Sequence, residues 1–206
     1  MTTNTAKILV LDNYDSFTYN LVHMLKELTH GGKVDVYRND QITLAEVEQY
    51  DKIVLSPGPG VPDEAGILKP LIARYGGTKS IFGVCLGCQA IAEVYGGKLI
   101  NLNKVYHGVS TPINIVDHND RSLRFLVDTF DAGRYHSWVV DPLNIPADLT
   151  VSATDNEGHV MALYHKTHDV RGVQFHPESV LTPDGKQIMA NFLATPQPPK
   201  GKPLPR

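Results

Sequence analysis

Cysteine is scarce in this chain: 206 residues carry two, Cys85 and Cys88. A secreted disulfide framework needs more of them at wider spacings. A zinc site needs further Cys or His ligands, usually a second cysteine pair, and no second pair exists. Long hydrophobic runs are missing too, and none would span a bilayer. The opening MTTNTAKILVLDNYD lacks a basic region followed by an apolar core and a cleavage site, so no signal peptide is expected. Basic excess is also absent. With 19 Lys and Arg against 22 Asp and Glu the net charge is -3, and no basic stripe points to nucleic acid. These absences predict a soluble protein of a reducing, cytoplasmic compartment, with no membrane and no nucleic-acid partner.

What is present is an ordinary globular composition, 42% hydrophobic and 20% charged. That suits one domain around a sizeable core. The first half alternates short apolar runs with helical periods. Strands are predicted over 7–11, 33–37, 52–56 and 80–84. Between them Phe17, Leu21, Leu25 and Leu28 recur at helical spacing, and further helices are predicted over 44–50, 67–75 and around Ala90 to Tyr95. Glycine pairs 31–32 and 96–97 close two of these helices. Such alternation calls for a parallel sheet with helices on both faces and right-handed crossovers. The second half reads differently. Strands over 111–116, 149–154, 160–164 and 170–174 are joined mainly by short turns, which suggests antiparallel additions to the sheet, followed by a closing helix over 186–193. The predicted fold is therefore α/β, an open, mostly parallel sheet with a few antiparallel strands. One domain is expected over 1–195, followed by a Pro-rich, basic tail over 196–206, extended or disordered.

Three segments carry chemistry. In Gly83-Val-Cys85-Leu-Gly87 a cysteine sits between a buried strand and a helix, the setting of a nucleophile elbow. The glycines permit close chain approach, and the helix beginning at Leu86 aims its positive end at the sulfur, which favours the thiolate. Two plainer readings stand beside this: a small buried hydrophobe, and a redox pair with Cys88. In Gln174-Phe-His176-Pro-Glu178 a histidine and a carboxylate follow a strand. Thiol attack on an amide needs a group that takes the thiol proton and returns it to the leaving nitrogen, and a carboxylate to orient that group. Among nine histidines, His176 gains meaning only together with Cys85. In Ser56-Pro-Gly58-Pro59-Gly60 glycines can turn N–H groups toward an oxyanion, although a simple tight turn reads the same way.

GVCLG, QFHPES and SPGPG, in that order, resemble the class I (triad) glutamine amidotransferases. The opening LDNYDSFTYN, residues 11–20, is similar to the branch of that family serving anthranilate and para-aminobenzoate synthesis. The likeness runs from about 7 to about 193. It implies a flavodoxin-like sheet and a reaction in which Cys85 forms a γ-glutamyl thioester, His176 acts as general acid and base, and Glu178 orients it. It further implies an oxyanion hole from the Gly58, Pro59 and Gly60 loop with Leu86. Gln89 would contact substrate L-glutamine, and the backbone at Ser137 and Trp138 would hold its α-amino and carboxylate groups. His136 is expected to be structural.

The likeness also implies a partner: a chorismate-binding large subunit, either anthranilate synthase component I or its aminodeoxychorismate counterpart, which receives the ammonia. Magnesium would belong to that subunit, with no metal or cofactor in this chain. The expected pathway is tryptophan biosynthesis, with the folate branch, or both, as the alternative. Guanylate or carbamoyl phosphate service, a stand-alone γ-glutamyl hydrolase and a non-enzymatic binding module are the remaining readings. The loop over 12–20 is either a partner contact or a helix start capped by Asp15 or Ser16. Two departures from the family pattern stand out. Cys88 replaces a common histidine, which raises the expectation that oxidation joins it to Cys85, and Trp138 replaces a common leucine.

Overall fold

The computed structural model describes residues 6–194; the predicted tail over 196–206 lies outside them. In chain order the elements are β1 (Ile8–Asp12), α1 (Thr18–Leu28), β2 (Val34–Arg38), α2 (Leu44–Val47), β3 (Lys52–Leu55), α3 (Leu68–Tyr75), β4 (Ser80–Val84) and α4 (Leu86–Val94). They continue with β5 (Leu99–Asn101), β6 (Val109–Ile115), β7 (Thr129–Arg134), β8 (Trp138–Val140), β9 (Leu149–Thr154), β10 (Val160–His165), β11 (Val170–Val173) and α5 (Gly185–Ala194).

The described residues form a nine-stranded sheet in the order β2-β1-β3-β4-β11-β10-β9-β6-β7, with β5 and β8 as a separate antiparallel pair. From β2 to β11 the strands are parallel, and from β11 onward the neighbours are antiparallel. This is the α/β fold the alternation called for.

A strand buried on both faces must be apolar at every position, because successive side chains point to opposite sides. β1 shows this directly. Ile8 and Val10 join one core layer, with Leu21, Leu25, Ile188 and Phe192 from α1 and α5. Leu9 and Leu11 join the other, with Leu71, Ile72, Ala90 and Ile91 from α3 and α4. The strand order β2-β1-β3-β4 reverses direction of travel at β1 and β3. In open α/β sheets such a switch point opens a crevice beyond the carboxyl ends of the strands.

Some elements differ from expectation. The predicted 44–50 helix is a single turn, Leu44–Val47, started by a capping box in which Thr43 and Glu46 satisfy each other's backbone. The start of α1 is not capped by the side chain of Asp15 or Ser16 at the N-cap position, which Phe17 occupies. Instead Asp15 accepts a hydrogen bond from the Phe17 N–H at 2.7 Å, one residue earlier in the turn. β5 and β8, three residues each, and β7 were not anticipated. β7 reads Thr-Phe-Asp-Ala-Gly-Arg, yet Arg134 is buried there because Asp155 pairs with it at 2.8 Å. Pro112 sits in β6 where β6 pairs with β7 alone, so no second ladder needs its missing N–H. No helix among the described residues is long and apolar enough to cross a membrane.

Candidate active site

The elbow forms where β4 stops and α4 begins. Cys85 takes φ +51° and ψ -101°, left-handed backbone that a residue with a Cβ adopts at a cost. Its N–H donates to Val173 O at 2.8 Å, which ties the turn to β11. The flanking glycines are steric requirements. A Cβ on Gly83 would lie 2.4 Å from the Gly87 carbonyl carbon, and one on Gly87 would lie 2.7 Å from Leu55 O. The helix and the sheet approach too closely for anything larger.

His176 and Glu178 follow β11, the neighbour of β4. His176 Nδ1 and Glu178 Oε1 are 2.6 Å apart, with both residues buried. Phe17 and Tyr135 pack against the imidazole, with centroids 5.9 and 4.8 Å away, and fix the ring plane. Burial alone would push the imidazole down. The Cys85 sulfur and the Glu178 carboxylate outweigh it and carry His176 up to about 10. With Nδ1 committed to Glu178, Nε2 is the ring nitrogen left to exchange a proton, and no fixed hydrogen bond holds it.

The SPGPG loop leaves β3 on the same side. A Cβ on Gly58 would lie 2.5 Å from Asn13 O and 2.8 Å from the Leu86 side chain, so the loop lies directly against the elbow. Asn13 locks it there. Its N–H donates to Ser56 Oγ and its side-chain amide to Ser56 O, both at 2.8 Å, while Asn39 donates to Asn13 Oδ1 at 3.0 Å. Gly60 is left-handed at φ +72°. Leu86 opens α4, and the first N–H groups of a helix have no intrahelical partner.

Gln89 and Trp138 also meet here: Gln89 Nε2 donates to Trp138 O at 2.9 Å. The Ser137 carbonyl accepts from Leu102 N–H at 2.7 Å, which anchors the segment to the residue after β5. His136 has both ring nitrogens occupied. Nε2 accepts from Arg134 at 3.1 Å, so Nδ1 carries the proton it gives to Trp138 O at 3.0 Å. Burial, with the Arg134 guanidinium beside it, pushes His136 down to about 3 and keeps it neutral. It shapes the site rather than moving protons.

Cys88 does not face its neighbour. It packs in the layer opposite Cys85, against Gly172, and burial pushes its thiol up. Both thiols are free, and the bridge expected between them is not formed. Among the described residues no group of three His, Cys, Asp or Glu side chains is placed to hold a metal ion.

Cys85, His176, Glu178, Gln89 and Trp138, with Gly58 against Leu86, therefore lie together where β4 and β11 end. Sequence reasoning missed Asn13, Phe17, Tyr135 and Arg134 as parts of this site. Asn13 and Phe17 lay within a motif already noted, whereas nothing local marked Arg134.

A family model for class-I glutamine amidotransferases matches residues 9–195. Aminodeoxychorismate synthase component 2 of Escherichia coli is 47% identical over 90% of this chain and 98% of its own length. Aminodeoxychorismate/anthranilate synthase component 2 of Bacillus subtilis is 45% identical over 91% and 96%. The bifunctional protein TrpGD of Thermotoga maritima is 43% identical over 91% of this chain, which spans only 32% of that longer protein.

Proposed function

The chain belongs to the class-I glutamine amidotransferases, and on that premise we propose that it hydrolyses L-glutamine at Cys85 and delivers the ammonia to a chorismate-binding large subunit. The observation that carries this reading is the trio of Cys85 on a strained elbow, His176 beside it and Glu178 at 2.6 Å behind.

The steps follow from these positions. The Cys85 thiolate attacks the side-chain amide carbon of glutamine and forms a C–S bond. The carbonyl electrons move to oxygen, and N–H groups of the Gly58, Pro59 and Gly60 loop and of Leu86 receive that charge, Pro59 itself offering none. His176 gives its proton to the departing nitrogen, the C–N bond breaks, and ammonia leaves a γ-glutamyl thioester. The neutral imidazole then takes a proton from water as the water attacks the thioester. Glutamate leaves and the thiolate–imidazolium pair returns. Glu178 stabilises the imidazolium throughout. Gln89, Ser137 and Trp138 hold the amino-acid end of the substrate.

Ammonia delivered for synthesis needs an acceptor site, and none is apparent among the described residues. Tyr14 and Tyr19 flank Phe17, whose ring lies on His176, and Val180 follows Glu178 by two positions. All three are exposed, Val180 by 95%, which suits a face covered by a partner. The product proposed is anthranilate. Aminodeoxychorismate is the second reading, favoured by the 47% identity to the Escherichia coli protein. Mixing the chain with each large subunit in glutamine and chorismate tests both. Glutamine-dependent anthranilate is expected; product from neither mixture would overturn the acceptor while leaving the glutaminase proposal intact.

A further inference from the structure

Gln174 lies two residues before His176 and is fully buried, and the steps above give it no role. Its Nε2 lies 3.4 Å from Cys85 Sγ. Its Oε1 lies 3.1 Å from Gln89 Nε2, and Gln89 Nε2 also donates to Trp138 O at 2.9 Å. Side-chain amides are normally ambiguous between oxygen and nitrogen. Here a backbone carbonyl removes the ambiguity. Trp138 O can only accept, so Gln89 must present its nitrogen. Gln174 must then turn its oxygen toward Gln89, and its N–H to the sulfur.

We propose that Gln174 is a catalytic residue that donates a hydrogen bond to the Cys85 sulfur, stabilising and aiming the anionic nucleophile, and that Gln89 is the positioning residue that holds its amide in that sense. This deepens the function proposed above and rests on it. A donor on the charged form of a group favours that form. The same donor restrains the sulfur, while His176 Nε2 carries no hydrogen bond and is left for proton exchange. Gln89 sits where the substrate's amino-acid end is placed, so the arrangement links the substrate segment at Trp138 to the sulfur through two amides. A residue that merely filled space here would be apolar, since a buried amide must find partners. The partners recorded for the Gln174 amide are Gln89 and the nucleophile itself.

The test compares Gln174→Met, equal in bulk but without a donor, and Gln174→Glu, which when ionised offers only acceptors. In the full chain, the rate of Cys85 alkylation by iodoacetamide is followed against pH, with peptide mapping to separate Cys85 from buried Cys88. The other titratable groups near enough to act on the sulfur are His176, with Glu178 behind it, and Cys88 from the opposite core layer; all are common to the variants. Gln174→Met is expected to move the alkylation midpoint upward and slow the reaction near neutral pH about tenfold, the scale of one hydrogen bond to an anion. Gln174→Glu is expected to move it further, and in both kcat falls with KM for glutamine near wild type. If either variant fails to fold, Gln89→Leu frees the Gln174 amide to turn and is expected to shift the same profile in the same direction. A folded variant whose alkylation profile overlays that of the wild type, or a Gln174 variant that changes KM for glutamine and leaves kcat untouched, overturns the proposal. Alkylation consumes no glutamine, so this outcome is separate from failure of the glutaminase reading.

Discussion

Replacing Cys85 with alanine is expected to lower glutaminase turnover by about 10⁴-fold or more, the scale seen when a covalent nucleophile is removed. The reason is specific to this site. His176 and Glu178 have no second nucleophile to serve, because Cys88 packs in the opposite core layer. The oxyanion donors and the Gln89–Trp138 contact would survive, so glutamine should still bind. Loss should therefore fall on kcat, measured as glutamate release, with KM little changed. Alanine removes the sulfur but leaves a residue at φ +51°, so a thermal melt should accompany the assay. Undiminished turnover in a folded Cys85→Ala chain would refute the mechanism.

Gly83→Ala is expected to destabilise the fold by about 3 kcal/mol or more, within the severe class of backbone and overpacking changes. The new Cβ would lie 2.4 Å from the Gly87 carbonyl carbon, 2.5 Å from its oxygen and 2.7 Å from Cys88 N. All three atoms are backbone, so no side chain can swing aside. Either β4 or the first turn of α4 must move, and each carries the elbow. For a chain of this size the melting temperature should drop by roughly 10 °C, with glutaminase lost at temperatures where the fold persists. A melt within a degree or two of wild type would show that the strand–helix contact is looser than described.

How far the sequence alone reached depends on the range of the forces at each place. β1, β3 and β4 are buried on both faces, so burial left an unbroken apolar run, and the parallel half could be read directly. GVCLG announced itself because sterics demand glycine at Gly83 and Gly87 whatever lies elsewhere. β7 stayed hidden because its burial is decided 21 positions away, where Asp155 meets Arg134. β5 and β8 are too short to show a period. The triad residues were readable as motifs, but their assembly was not. Only the β4–β11 pairing brings His176 to Cys85, across a separation of 91 positions that no local pattern reveals. C-x-x-C spacing places two side chains near one helical turn, but the elbow turns Cys85 into one core layer while α4 buries Cys88 in the other.

The central claim is a covalent γ-glutamyl thioester on Cys85. The most direct measurement is to mix the chain with glutamine, quench in acid within the first turnovers, and map the peptides by mass spectrometry. A γ-glutamyl adduct is expected on the peptide holding Cys85 and absent from the Cys85→Ala chain. Rapid glutamate release with no adduct at any quench time, or an adduct that persists in Cys85→Ala, would contradict the claim.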